Sequence, residues 1–343
     1  MATSTPDSQS APAGEPMPSQ VRPMLATPSA RLPRAEDRYA FEFKWDGVRA
    51  IGFVRDDKLR MQSRNLIDIT GRYPELQPLG PALGGQPAIL DGEIVAFGAD
   101  GRPSFQALQS RMNVEREADL HVRLVETPVT YFIFDLLYLG SHSTMDLPYS
   151  DRRGLLEALK LDGAQWKTPP SEPGAGRETF EASKQLALEG VVAKRLDSIY
   201  QPGVRSAAWL KIKNHLSQEF VICGWTPGAG VRSGTVGALL LGYYDRRPTE
   251  GPQHLVMAGR VGTGFTDRLL EELTARLQVL RRESTPFADH GPVANARFVE
   301  PRLVCEVEFT EWTRDGTLRH PSFKGMRDDK DPRDVVRESP LPR

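Results

Sequence analysis

The sequence predicts an α+β protein in two parts, both built on antiparallel sheet. Three observations carry this. Between about residues 21 and 215, short β-rich runs alternate with helical stretches without a repeating βαβ order. After His215 the texture turns to strands separated by Gly- and Pro-rich turns. The first 20 residues are rich in Ser, Pro and Ala with almost no bulky apolar side chains, the composition of a disordered tail. The expected layout is therefore a tail over 1–20, a mixed domain over 21–215 and a smaller domain over 216–343.

In chain order, strands are expected over 40–43, 48–55, 89–97, 129–137 and 190–194. A helix over 151–161 has Asp151 as its cap and Leu155, Leu156 and Leu159 as its apolar face. A second helix over 178–188 is closed by Gly190. The run Trp209-Leu210-Lys211-Ile212-Lys213 alternates as a strand, which puts both lysines on one face and Leu210 and Ile212 on the other. Beyond the boundary, strands over 220–224, 236–244, 254–261 and 303–310 surround one helix over 266–280. Its Leu269, Leu270, Leu273, Leu277 and Leu280 share a face, and the set suits a small closed barrel.

Composition narrows the function classes without choosing one. A chain of 343 residues can hold two domains with a core each, and 39% hydrophobic with 26% charged residues is ordinary for globular protein. The net charge is −1, and residues 216–343 hold 18 basic and 18 acidic side chains. A nucleic-acid partner would therefore need basic residues gathered on one face. Cys223 and Cys305 stand far apart without metal-type spacing, against a disulfide scaffold or cysteine zinc site and in keeping with a reducing cytoplasm. No apolar run approaches the ~20 residues of a membrane helix, and no signal-peptide core is present.

The chemistry is concentrated in Glu42-Phe43-Lys44-Trp45-Asp46-Gly47-Val48-Arg49. A lysine amine attacks phosphorus only when neutral, so a nucleophilic lysine needs a site that disfavours its ammonium form. Gly47 permits a tight turn and Arg49 offers a planar fork for phosphate or ribose oxygens. Alone, a K-x-D-G match recurs by chance. Here it is followed, in order, by Ser63-Arg64-Asn65, Asp91-Gly92-Glu93-Ile94-Val95 and Tyr131-Phe132-Ile133-Phe134-Asp135-Leu136-Leu137. Then come Glu189-Gly190-Val191-Val192-Ala193-Lys194, Trp209-Leu210-Lys211-Ile212-Lys213 and a charged run from Arg319 to Lys330.

This ordered set resembles the ATP-dependent DNA ligases and, more widely, the mRNA-capping guanylyltransferases. Val21-Arg22-Pro23-Met24-Leu25-Ala26, Arg72-Tyr73-Pro74-Glu75-Leu76, Arg232-Ser233-Gly234 and Arg260-Val261-Gly262-Thr263-Gly264-Phe265 are similar to the ligase module of bacterial non-homologous end-joining ligases. The resemblance covers roughly residues 21–337. Leu66 departs from it, standing where that branch more often has glycine.

The resemblance implies a nucleotidyltransferase (adenylation) domain over 21–215 followed by an OB-fold domain over 216–343. It assigns Lys44 as the nucleophile that becomes lysyl-AMP, and Lys211 and Lys213 to the α-phosphate during transfer. Glu42, Arg49, Arg64, Glu93 and Phe134 would hold the nucleotide, with Phe134 stacked on adenine. Glu93 and Glu189 would bind Mg²⁺ or Mn²⁺, as hard carboxylate ligands do. Arg319, Arg327 and Lys330 would grip pyrophosphate when the domains close, and Asp91 would be mainly structural. The implied cofactors are ATP and the metal ion. The implied substrate is nicked or broken double-stranded DNA, sealed by a monomer, with Ku and a polymerase or primase as candidate partners in trans. An RNA ligase, a capping-type guanylyltransferase or a catalytically silent DNA-binding repair module would carry overlapping features.

Overall fold

The computed structural model describes residues 15–112, 117–228, 234–288 and 293–338. Two sheets make the first domain. One runs in the order Lys58–Ser63, Val48–Arg55, Ala88–Ala96, Val129–Leu139, His142–Ser143. The other runs Leu25–Pro28, Arg205–Lys213, Gly190–Arg195, Tyr39–Lys44, Glu172–Pro173. All the pairings along these two paths are antiparallel except that of Leu25–Pro28 with Arg205–Lys213.

Period-two alternation divides each strand between two environments. Phe41, Val191, Ala193, Leu210 and Ile212 share one buried cluster on the outer face of the second sheet, against Phe180 of helix Gly176–Gln185. The outer face of the first sheet buries Val48, Ala50, Leu90 and Ile94 with Phe105 and Leu108 of helix Phe105–Met112. Between the sheets lie Met24, Ile51, Phe53, Ile89, Leu137 and Trp209. The residues that alternate with the outer clusters therefore face inward. At one end of that inward space the side chains are Glu42, Lys44, Arg49, Glu93, Lys211 and Lys213 rather than hydrophobes, and a cavity opens.

The second domain is a six-stranded antiparallel sheet in the order Leu255–Val261, Val236–Tyr244, Leu216–Pro227, Arg297–Phe309, Arg281–Arg282, with Ser322–Met326 also paired to Arg297–Phe309. Helix Asp267–Val279 buries Leu270, Leu273 and Leu277 into its core, and Thr266 caps it by accepting from the Leu269 N–H at 3.3 Å. Only Asn214 and His215 separate the last strand of the first domain from Leu216–Pro227. The Asn214 amide donates to the Ser183 hydroxyl at 3.1 Å and the Leu188 carbonyl at 2.8 Å, which fixes the first-domain side of the link.

Several expectations change. The helix expected over 178–188 and closed by Gly190 is Gly176–Gln185, with Ala187 at φ +53° just beyond it and Gly190 already in the next strand. Residues 1–14 of the expected tail lie outside the described residues, but 15–20 pack on the first domain. Met17 joins the inter-sheet core, and the Glu15 carbonyl accepts from the Tyr138 hydroxyl at 2.7 Å. The helix expected over 151–161 is Tyr149–Ala158; Pro148 precedes it and Asp151 lies in its first turn without capping it. Its buried face carries Tyr149, Arg152 and Arg153 beside Leu156, because Asp135 and Glu42 supply internal partners for the arginines, while Leu155 is exposed. Among the described residues no helix is long and apolar enough to cross a membrane.

Candidate active site

Strand register aligns the lysines. Lys44 lies opposite Gly190, which lies opposite Lys213; two residues along, on the same face, Glu42 faces Val192 and Val192 faces Lys211. Gly190 has φ +151°, and a Cβ there would come within 2.1 Å of the Ile212 carbonyl oxygen, so the chain can turn from Glu189 into the strand only at glycine. Glu189 is thereby placed between two ammonium groups. Its carboxylate meets Lys44 Nζ in a short contact and Lys213 Nζ at 2.7 Å. Burial would raise this carboxyl, but Lys213 and Lys44 overcome it and hold it at about 2. Burial likewise opposes the Lys213 ammonium, and Glu189, Glu306 and Glu338 together hold it above the ordinary lysine range.

Gly47 stands in the bend between Tyr39–Lys44 and Val48–Arg55, where it also has a steric role. A Cβ at this position would stand 2.2 Å from the Ile94 carbonyl oxygen, so the backbone after Lys44 can press on Ala88–Ala96 only without a side chain. Across the same strands Arg49 lies opposite Glu93. Asp91, fully buried, takes Arg49 Nε at 2.5 Å and its terminal nitrogen at 2.6 Å, and accepts from the Tyr200 hydroxyl at 2.6 Å. That bidentate clamp holds the guanidinium over the Phe134 ring, 4.6 Å from its centroid. Lys194 Nζ approaches the same ring at 4.5 Å and binds Glu42 at 2.9 Å. Glu42 also accepts a short hydrogen bond from the Tyr149 hydroxyl, so it sits in a fixed polar pocket beneath the aromatic.

The cavity has a volume of about 420 Å³, within the range of small-molecule sites, and both domains line it. It gathers Lys44, Lys211, Lys213, Glu42, Arg49, Arg64, Glu93, Phe134, Glu189, Arg327 and Lys330. Arg319 is the exception. It lies at the surface, ion-paired to Glu311 at 2.6 Å and more than half exposed, because the two-strand ribbon Glu311–Trp312 with Leu318–Arg319 carries it away from the cleft.

The second domain contributes acids that the sequence reading passed over. Arg327 is forked onto Asp329, with both contacts at 2.9 Å, and reaches Glu306 at 2.9 Å; Lys330 pairs with Glu219 at 2.7 Å. Burial pulls Lys330 down to about 8 against the pull of Glu219. Lys211 pairs with Glu338 at 2.6 Å, so the segment after Lys330 returns to the cavity wall. Asp46 and Glu93 line the same space and both rise to about 7. Burial is the main cause in each; Glu306 and Glu189 add to it at Asp46, while Arg49 and Lys44 oppose it at Glu93. Lys194 was legible as a charge ending the apolar run Val191-Val192-Ala193; Glu219, Glu306 and Glu338 gave no such signal.

Leu66 takes up φ +65° at the end of the turn that carries Arg64 and Asn65, with its N–H on the Ser63 carbonyl at 3.0 Å. The turn keeps the left-handed residue that a glycine would supply without strain.

A family model for the ATP dependent DNA ligase domain matches residues 23–213, and one for the ATP dependent DNA ligase C terminal region matches 232–330. The chain is 42% identical over 324 residues to the multifunctional non-homologous end joining protein LigD of Mycolicibacterium smegmatis, covering 94% of this chain and 40% of the relative. It is 38% identical over 334 residues to the LigD protein of Pseudomonas aeruginosa, covering 95% and 37%. It thus spans about 40% of the length of such relatives. A solved mycobacterial DNA ligase D complexed with ATP and MES matches at a TM-score of 0.66 with 38% identity, over 93% of this chain and 98% of the other. With both domains matched in order on the fold and cavity described, the chain belongs to the ATP-dependent DNA ligase family.

Proposed function

We propose that this chain is an end-joining ligase module that carries AMP on Lys44 and seals 3′-OH/5′-phosphate breaks in DNA. The observation that carries the reading is the line of Lys44, Glu189 and Lys213 in a two-domain cavity that also holds Lys211, Phe134 and Arg327. In the first step the Lys44 nitrogen attacks the α-phosphorus of ATP. The N–P bond forms, the bond to the bridging oxygen breaks, pyrophosphate leaves with its electron pair, and the proton that the amine gives up passes to the departing pyrophosphate or to water. Glu189 contacts the Lys44 Nζ and so orients the amine toward the phosphates. Lys211 and Lys213 meet the charge that develops on the α-phosphoryl oxygens, and Arg327 and Lys330 meet the departing pyrophosphate. Phe134 and Glu42 line the part of the cavity where the base would sit, with Arg49 over the Phe134 ring. AMP then passes to a DNA 5′-phosphate, and attack by the 3′-OH releases it.

Glu93, Asp46 and Glu189 line the cavity and carry the hard oxygen ligands that Mg²⁺ or Mn²⁺ prefers, although among the described residues no three such groups converge as a preformed metal site. Two of these acids bind protons near neutrality because burial and neighbouring acids raise them, the environment that a cation would relieve. Glu93 and Glu189 would hold the ion; when bound, it would supply charge neutralisation at the phosphates. Ku and a polymerase or primase would act in trans, with the ligase module working as a monomer.

The test is labelling with α-labelled ATP against GTP, followed by sealing of nicked DNA against nicked RNA and of broken DNA with and without Ku. ATP labelling with DNA sealing is expected. GTP labelling would indicate a capping-type enzyme, preference for RNA an RNA ligase, and no labelling a silent module.

A further inference from the structure

A cavity of about 420 Å³ lined by both domains can hold a nucleotide but leaves no room for a duplex at Lys44. On the proposed function, on which this inference rests, the domains are together for transfer from ATP and apart for DNA. The structure shows what holds them together. Helix Phe105–Met112 lies on the outer face of the first sheet, yet it also contacts strand Ser322–Met326 of the second domain. The Gln109 amide donates to the Met326 carbonyl at 2.6 Å. Phe105, rooted in the first-domain core, lies 4.7 Å beneath the Arg327 guanidinium. Gly325 makes this approach possible: a Cβ there would stand 2.9 Å from Phe105 Cδ1 and 3.1 Å from Gln109 Nε2. On the far side of the same segment, the Asn65 amide donates to the Asp329 carbonyl at 2.6 Å.

We infer that helix Phe105–Met112 is a latch for the closed state, in which Gln109 and Phe105 are positioning residues that seat Arg327 for transfer of AMP to Lys44. The latch serves that step alone. Gln109 is absent from the cavity wall and acts through Met326 and Arg327. Removing it leaves a carbonyl unpaired only while the domains are closed, so its loss penalises closure and nothing else.

The experiment compares the wild-type chain with Gln109→Ala and Gly325→Ala in two assays. One is the single-turnover rate of lysyl-AMP formation at saturating ATP; the other is sealing of a nick that already carries a 5′-AMP. Each variant should lower the first rate about tenfold, the scale of one hydrogen bond with a desolvated partner, and leave the second within about twofold. Sealing of the adenylated nick also reports that the variants are folded. An equal fall in both rates would make the contacts merely structural, and no fall in either would show that closure does not depend on them; each result overturns the latch. If the wild-type chain neither labels nor seals, it is the ligase reading that fails, separately from the latch.

Discussion

Glu338 makes a strong prediction because it occupies Lys211 with the wrong anion. Its carboxylate lies 2.6 Å from Lys211 Nζ, both side chains are largely buried, and its own N–H is tied to the Gln218 side chain at 2.9 Å. Burial pulls Lys211 below the ordinary lysine range, and Glu338 is the first group opposing that pull. For ATP to engage Lys211, this pair must open. At an effective dielectric of about 20, unit charges 2.6 Å apart attract by roughly 6 kcal/mol. Desolvation of several kcal/mol per ion offsets most of that, leaving about 1–2 kcal/mol to be displaced. Glu338→Gln should therefore tighten nucleotide binding by about 5- to 30-fold. Calorimetric titration with α,β-methylene ATP, which binds without transfer, reads this directly. The gain should shrink as salt rises, since part of the pair is open to solvent. Unchanged or weaker binding in the variant would refute the competition and place Glu338 outside the path of the phosphates.

Further outcomes follow from the same geometry. Glu93 is raised to about 7 by burial, whereas an unfolded glutamate titrates near ~4.3. The folded state thus binds this proton more tightly. The stability it contributes is full below ~4.3 and lost as pH rises through about 7, so Glu93→Gln should raise stability at pH 8 by up to roughly 3 kcal/mol and match wild type near pH ~4. Thermal melts at the two pH values check this while adenylation falls. Arg327→Ala should sharply reduce lysyl-AMP formation and spare sealing of adenylated DNA, whereas Arg319→Ala should leave lysyl-AMP formation within about twofold, because Arg319 lies at the surface with Glu311. Asp91→Asn removes the partner of a largely buried guanidinium and should cost about 3 kcal/mol in denaturant unfolding of the first domain, with adenylation falling as Arg49 loses its place over Phe134.

The main strands were legible as apolar runs bounded by turn residues, with alternation clearest in Arg205–Lys213. Val48–Arg55 and Val236–Tyr244 fall where expected, and Lys211 and Lys213 share a face because Leu210 and Ile212 take the core face. Helix Tyr149–Ala158 was legible in kind but not in facing: Arg152 is fully buried because Asp135 takes it bidentately at 2.8 and 2.9 Å, a pairing across 17 residues that no local pattern reveals. The charged run Arg319–Lys330 suggests, from sequence, one loop gripping pyrophosphate. In the fold, the ribbon at Leu318–Arg319 and the strand Ser322–Met326 send Arg319 outward and Arg327 inward. The acids Glu219, Glu306 and Glu338 enter the site only through domain closure, so their roles depend on tertiary placement and not on spacing. Net charge was uninformative for the same reason, since the cavity interleaves lysines and arginines with nearly as many carboxylates.

The central claim is that Lys44 carries the nucleotide. Incubating the chain with ATP and a divalent cation, then mapping adenylated peptides by mass spectrometry, tests it most directly. AMP is expected on Lys44, held against Glu189 and beside Lys213 in the cavity, with no adenylation in Lys44→Ala while its melting temperature stays near wild type. AMP found on Lys211, Lys213 or any other residue, or undiminished labelling in Lys44→Ala, would contradict it.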